Sequence, residues 1–147
     1  MIASRSLDDL DPRVKDLAQQ LISRCSMNNI DLLVTSTYRD NEEQMKLWQQ
    51  GRTSPGAIVT NARPGESFHN YKLALDFCPL QNGKCAWNDS ATFQRVGELA
   101  EALGMEWAGR WNGSLRELAH VQFTGGLTLA DLQTGKTLND VATTGTA

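Results

Sequence analysis

Apolar residues recur three and four apart at Val14, Leu17, Ala18, Leu21, Ile22 and Cys25, the stripe of an amphipathic helix. Asp11 can cap its start, Pro12 suits the first helical position, and the Asn28-Asn29 pair marks its end. The period then changes. Leu32 to Thr37 is short, apolar and β-branched, and predicts a strand. Asp40 or Asn41 caps a second helix through Glu42, Gln44, Leu47 and Trp48, ended by Gly51. Leu73 to Cys78 predicts another strand and Asn82-Gly83 a turn. Asp89 or Ser90 caps a helix through Phe93, Val96, Leu99 and Leu103 that stops at Gly104. Met105 to Ala108 and Ala119 to Phe123 predict two short strands, and Leu127 to Leu132 a last helical turn.

Between the second helix and the second strand, Arg52 to Ser67 carries Pro55, Gly56, Pro64 and Gly65 and predicts a long ordered loop, a type that is often functional. No repeat or linker divides the chain. The expectation is a single α+β domain over residues 1–147, a small, mainly antiparallel sheet flanked by helices, with a Thr/Gly-rich tail that frays after about Asn139.

Composition narrows the function classes. The 147 residues carry a formal charge of −3 without any lysine or arginine block, which argues against nucleic acid and against anionic membrane surfaces. No apolar run approaches the ~20 residues of a membrane helix, so no membrane insertion is expected. Met1 to Asp11 is polar and acidic, unlike a cleaved secretory leader. The chain is therefore expected to be made in the cytoplasm without a signal peptide and to reach other compartments through a hole-forming protein or a dedicated export system. It is expected to work as a monomer. Of three cysteines, none forms a CxxC pair, and only His69 and His120 supply imidazole.

His69 and Asp76 would stand about 10 Å apart along a helix and roughly 23 Å apart on an extended strand. They can meet only if Asn70-Tyr71-Lys72 turns the chain back over a strand bearing Asp76. In that strand Leu73, Leu75 and Phe77 take one face and Ala74, Asp76 and Cys78 the other. If Ala119 to Phe123 lies in the same sheet, His120 can project toward Asp76. A carboxylate inside an apolar strand needs a cation, and no arginine near it in the sequence supplies one. Two imidazoles and a carboxylate are a common ligand set for a catalytic zinc with one open position. Glu117, three residues before His120, falls on the same side in a helical or tight-turn segment and could take a proton from the zinc-bound water. On spacing alone, a histidine satisfied by packing remains equally open.

Ser67-Phe68-His69-Asn70-Tyr71-Lys72-Leu73-Ala74-Leu75-Asp76 resembles the S-x-H-x-x-G-x-A-x-D signature of the D-alanyl-D-alanine carboxypeptidase and dipeptidase family, and Glu117 to Gln122 its acid-x-x-H motif. Ser36-Thr37-Tyr38-Arg39, Gln50-Gly51-Arg52-Thr53, Val59 to Arg63 and Gly104 to Trp107 are similar to the L-alanyl-D-glutamate endopeptidases found among phage endolysins. The resemblance runs from about Val34 to Gln122. It implies a Hedgehog/D-Ala-D-Ala peptidase-like fold and zinc on His69, Asp76 and His120, with Glu117 as catalytic base. It further implies that Arg39 stabilises the oxyanion or anchors substrate, and that Ser67 holds substrate or braces the metal loop. The implied partner is the peptidoglycan stem peptide, cut between L-Ala and D-Glu in the periplasm or cell wall.

Three departures stand out. Lys72 occupies the glycine position of the signature, so its turn must tolerate a side chain. Ala108 and Arg110 replace a Gly-Gly-Asp segment, with Arg110 reversing a charge between Trp107 and Trp111. No separate wall-binding module is expected, and a thin, Gram-negative type wall is the expected substrate. Two alternatives stay open: a D,D-carboxypeptidase or dipeptidase, with Arg63 or Arg110 holding the substrate carboxylate, and a non-catalytic zinc-containing wall-binding module. Cys78 and Cys85 flank the Asn82-Gly83 turn and could form a disulfide or stay as two buried thiols.

Overall fold

The computed structural model describes residues 1–141. Helix α1 (Pro12–Met27) starts on Asp11, whose side chain accepts from Arg13 N, and buries Val14, Ala18, Leu21 and Cys25. Helix α3 (Ser90–Ala102), capped by Asp89, packs beside it through Phe93, Val96, Gly97 and Ala100. Helix α2 (Asn41–Gln49), capped by Asp40, and the short α4 (Leu129–Gln133), capped by Thr128, lie at the periphery. Five strands form one antiparallel sheet: β1 (Asp31–Ser36), β2 (Ala74–Gln81), β3 (Lys84–Cys85), β4 (Glu106–Trp107) and β5 (His120–Gln122). Its order is β1-β2-β5-β4, with β3 paired to the far end of β2.

Strand β2 is central and buried on both faces. Leu75 and Phe77 enter the core, where Phe77 meets Phe93 of α3 at 5.7 Å between ring centroids. Burial of each such side chain is worth about 1.5–3 kcal/mol, so α1 and α3 fix this face of the sheet. The opposite face carries Asp76, and beside it His120 and Gln122 of β5. The strand runs past Pro79, beyond the expected Cys78, because Asn82 (φ 52°) and Gly83 (φ 76°) turn it into a tight hairpin with β3. The two-residue β3 carries too little pattern to be read from sequence. Cys78 and Cys85 are joined across this hairpin, with Cα atoms 5.6 Å apart. Closing so short a loop stabilises the fold by about 2–3 kcal/mol in the chain-entropy picture.

The expected strand at Met105 to Ala108 shrinks to Glu106–Trp107, because the chain tightens into a 3-10 turn at Ala108–Arg110. Trp107 explains why. Its indole lies against Gly97 and Gly109, where any Cβ would overlap the ring. Its Nε1–H donates to the Leu118 carbonyl at 2.9 Å, and Glu117 N–H donates to Ala108 O at 3.1 Å. Two glycines, one on a helix and one in a turn, thus let a tryptophan tie down the segment that leads into β5. Toward the C-terminus the described chain ends close to the expected point of fraying. Thr137 caps a 3-10 turn at Leu138–Asp140, and Leu138 is buried. The rest of the expected frayed tail lies outside the described residues.

Lys72 adopts the left-handed conformation (φ 66°, ψ 26°) that its glycine-like position demands. A β-branched side chain there should be costly: Lys72→Val should lose about 1–2 kcal/mol in urea unfolding, while Lys72→Gly should be at least as stable as the parent. Cys25 is buried, and burial pushes its thiol up to about 11. Native protein should therefore give no reaction with a thiol reagent at pH 8, and unfolded, unreduced protein should give one thiol per chain.

Candidate metal centre

Ser67 accepts from His69 N–H at 3.2 Å, and Asn70 returns a bond to the Ser67 backbone, which together cap a 3-10 turn over Phe68–Tyr71. The turn reverses the chain as the sequence required and carries His69 back over β2. On β2, Asp76 pairs directly with His120 of β5 and with Ser36 of β1. Nitrogen atoms of both histidines and a carboxylate oxygen of Asp76 lie within 4.8 Å of one another.

The hydrogen bonds around the histidines decide which nitrogens face inward. His69 Nδ1 is 2.7 Å from the Thr37 carbonyl, which only accepts, so Nδ1 carries the proton and Nε2 presents a lone pair. That Nε2 sits 3.2 Å from Asp76 Oδ1. His120 Nε2 donates to Gln122 Oε1 at 2.8 Å, leaving Nδ1 as a lone pair 3.1 Å from the same Asp76 oxygen. Lone pairs from two rings and a carboxylate thus converge, an arrangement that repels unless a positive charge sits between them. The donor set therefore fits a divalent cation, with each imidazole oriented by an outer acceptor as metal-binding histidines usually are.

Electrostatics point the same way. Burial works against charge on Asp76, but the two histidines outweigh it and hold the carboxyl well below the usual carboxylate range. Burial keeps His69 below its ordinary value despite Asp76. In His120, burial again opposes charge, yet the hydrogen bond and charge of Asp76 push it up. The directions at Asp76 and His120 describe a site that draws positive charge, while burial keeps the His69 ring neutral.

Arg39 overturns one expectation. The sequence offered Asp76 no nearby arginine, but the chain brings Arg39 Nη2 to 3.8 Å from Asp76 Oδ2. Arg39 Nη1 donates to Gln44 Oε1, and Gln44, fully buried in α2, donates onward to Ala62 O. Asp76 therefore divides its oxygens, Oδ1 toward the imidazoles and Oδ2 toward a fixed guanidinium. Glu117 stands at the rim with its side chain 54% exposed and Oε2 3.6 Å from His120 Nδ1. It lies in an irregular segment just before a turn, not in a helix.

These residues open into a cleft of about 710 Å³. One wall is the 52–62 loop, strapped to α2 by Arg52, which bonds Trp48 O, Thr60 O and Asn61 Oδ1. Val59, Thr60 and Ala62 face the cleft from it, and Ser67 lines it too. Trp87, Trp111 and Gln122 also line the cleft, and sequence reasoning singled out none of them for the site. The His-x-Gln spacing on one strand face was the available signal for Gln122. Arg63 lies against Trp48, while Arg110 pairs twice with Glu101 and covers Trp107, so neither lines the cleft.

The family model described as VanY, D-alanyl-D-alanine carboxypeptidase, matches residues 7–125. The chain is 41% identical over 112 residues to the peptidoglycan L-alanyl-D-glutamate endopeptidase CwlK of Bacillus subtilis (strain 168), a match covering 70% of this chain and 67% of that one. Among solved structures it is similar to the Serratia marcescens L-Ala D-Glu endopeptidase ChiX, with a TM-score of 0.62 and 18% identity over 89% of this chain and 92% of that one. It is also similar to the E175A mutant of the D,D-pentapeptidase VanY from the VanB-type resistance cassette in complex with Zn(II), with a TM-score of 0.60 and 16% identity over 85% of this chain and 76% of that one.

If the outer acceptors set the ligand orientation, Gln122→Leu should keep the fold by circular dichroism yet bind zinc about 10–100-fold more weakly. Competition against a chromophoric chelator measures this, and an unchanged affinity would show that His120 needs no partner beyond the site.

Proposed function

The chain belongs to the VanY family of D-alanyl-D-alanine carboxypeptidases, and from that premise we propose that it is a zinc endopeptidase that hydrolyses the L-Ala–D-Glu bond of peptidoglycan stem peptides. The convergence of His69 Nε2, Asp76 Oδ1 and His120 Nδ1, with both remaining ring nitrogens already engaged, is the observation that carries the metallopeptidase part. The 41% identity to an L-alanyl-D-glutamate endopeptidase supports the choice of bond. So does the cleft, into which neither Arg63 nor Arg110 projects to hold a terminal carboxylate. A non-catalytic wall-binding module would need no rim carboxylate, and Glu117 is present and within reach of the site.

Zinc held by these three residues would supply Lewis acidity, lowering the pKa of water toward about 7 and polarising the scissile carbonyl. The protein supplies the rest. Glu117, free at the rim, accepts a proton from the attacking water as the oxygen adds to the L-Ala carbonyl carbon. It then gives that proton to the D-Glu nitrogen as the C–N bond breaks. Trp107 and Ala108 hold the Glu117 segment through Leu118 O and Glu117 N, which limits its drift from the reacting atoms. Arg39, held by Gln44, directs fixed positive charge at the oxygen that becomes negative, a contribution of about 3 kcal/mol for such donors in dry sites. Ser67 braces the turn that carries His69. No helix among the described residues is long and apolar enough to cross a membrane. Action in the periplasm or cell wall would follow release through a membrane hole or a dedicated exporter.

Glu117→Ala should keep stoichiometric zinc and near-native stability while losing at least ~100-fold in rate. Asp76→Ala or His120→Ala should lose both zinc and activity, and chelation should silence the parent until zinc is restored. Mass analysis of digested peptidoglycan should show stem peptides lacking their first alanine. Release of free D-alanine with the L-Ala–D-Glu bond intact would transfer the assignment to a carboxypeptidase.

A further inference from the structure

The cleft has two chemically different ends, divided by β2. β1 pairs with one edge of β2 through Asp31↔Leu80 and Ser36↔Asp76, so β3, which also pairs with Leu80, lies on the other edge with β5. Beyond Asp76 on the β1 side the surface belongs to an adjoining pocket rich in polar and charged groups, Arg5, Arg39, Ser36 and Glu43 among them, with Leu47 and Val59 beside them. On the β5 side it is aromatic and apolar, with Trp87, Trp111 and Leu115.

Trp87 is unlike the other tryptophans there. It is 55% exposed, whereas Trp107 is buried. One face stacks nearly parallel on the buried Phe93, with an interplanar angle of 20° and centroids 6.1 Å apart. Its position is fixed from both sides. Ala86 N–H donates to Pro79 O at 2.8 Å just after the Cys78–Cys85 bond, and Asp89 N–H donates to Ala86 O before capping α3. A rigid, half-exposed ring backed by a second ring is a platform.

Resting on the endopeptidase reading above, we propose that Trp87 is the binding platform for the N-acetylmuramoyl sugar that carries the stem peptide. The peptide itself offers alanine methyls, carboxylates and an amine, and the only ring near its N-terminus is that sugar. The C–H face of a pyranose is apolar and matches an exposed aromatic face, burying area that water otherwise covers. Reach agrees. Trp87 stands in the turn just after Ala86, whose N–H bonds Pro79 O, three residues and roughly 10 Å along β2 from Asp76, and both side chains line the same cleft. The L-alanyl and lactyl units between the scissile carbonyl and the sugar span about 7 Å, and the pyranose ring adds about 4 Å more. The anionic D-Glu side of the substrate then runs toward Arg39 and Arg5.

Two soluble substrates with the same peptide separate this from the endopeptidase reading: one N-capped by N-acetylmuramic acid, the other by acetyl. The zinc-loaded parent should cut both at L-Ala–D-Glu, with KM about tenfold lower for the muramoyl form and similar kcat. Trp87→Ala should bring the two KM values to within about twofold of each other by raising the muramoyl value, and Trp87→Phe should preserve most of the gap. Equal KM values in the parent, or a Trp87→Ala loss that falls equally on both substrates, would overturn the platform while leaving the bond assignment intact. Failure of the parent to cut even the acetyl substrate at this bond would overturn the endopeptidase reading and the platform with it.

Discussion

A carboxylate set in the middle of a buried strand governs this structure. Asp76 sits between Leu75 and Phe77, both of which the core claims, so it cannot move without unpacking α1 and α3. Leaving such a charge unpaired would cost several kcal/mol, and the rest of the site answers that demand. Arg39 is brought in from the end of β1, His120 from the adjacent strand and His69 from the capped turn. Each of these is in turn held by a group whose own position is fixed: Gln44 for Arg39, Gln122 for His120, and the Thr37 carbonyl for His69.

Thr37 shows how far that support extends. Its carbonyl receives His69 Nδ1–H, its N–H donates to Ser4 O, and its hydroxyl donates to Ser6 O. The N-terminal strap, with Ala3 bridged to Arg39, therefore steadies the peptide that orients His69. The floor of the cleft is built from backbone and buried side chains, and little of it depends on surface contacts.

Much of this was legible in the sequence. The helical stripe of α1, its Asp11-Pro12 start, the Asp40 and Asp89 caps and the alternation around Asp76 follow from local rules, and local rules suffice for them. The need for a chain reversal between His69 and Asp76 was also legible, since no regular element lets them meet. What was hidden depends on strand neighbours. Arg39 reaches Asp76 only because β1 pairs with β2 and then breaks register between Val34 and Ser36. Gln122 matters only because β5 is three residues long and points alternate side chains to the same place. Trp87 had no local signal at all, because it stands in a turn between β3 and α3 where no period marks it.

Floor and walls in this molecule are built on different principles. Asp76 and His120 share strands with core residues, so a cavity opened at Leu75 or Phe77 would disturb Asp76 along with the fold. The 52–62 wall hangs instead on a few side-chain bonds: Arg52 donates to Trp48 O of α2, Gln44 of α2 donates to Ala62 O, and Gln50 at the end of α2 donates to Ala57 O. Its apolar members Ile58 and Val59 remain exposed, so changes there carry little stability cost. Such a body can change what it grips without changing how it cuts. Random variation applied to the whole chain should yield altered preference from the wall and dead protein from the floor, which makes residues 52–62 the segment to diversify when a different wall chemistry is the target.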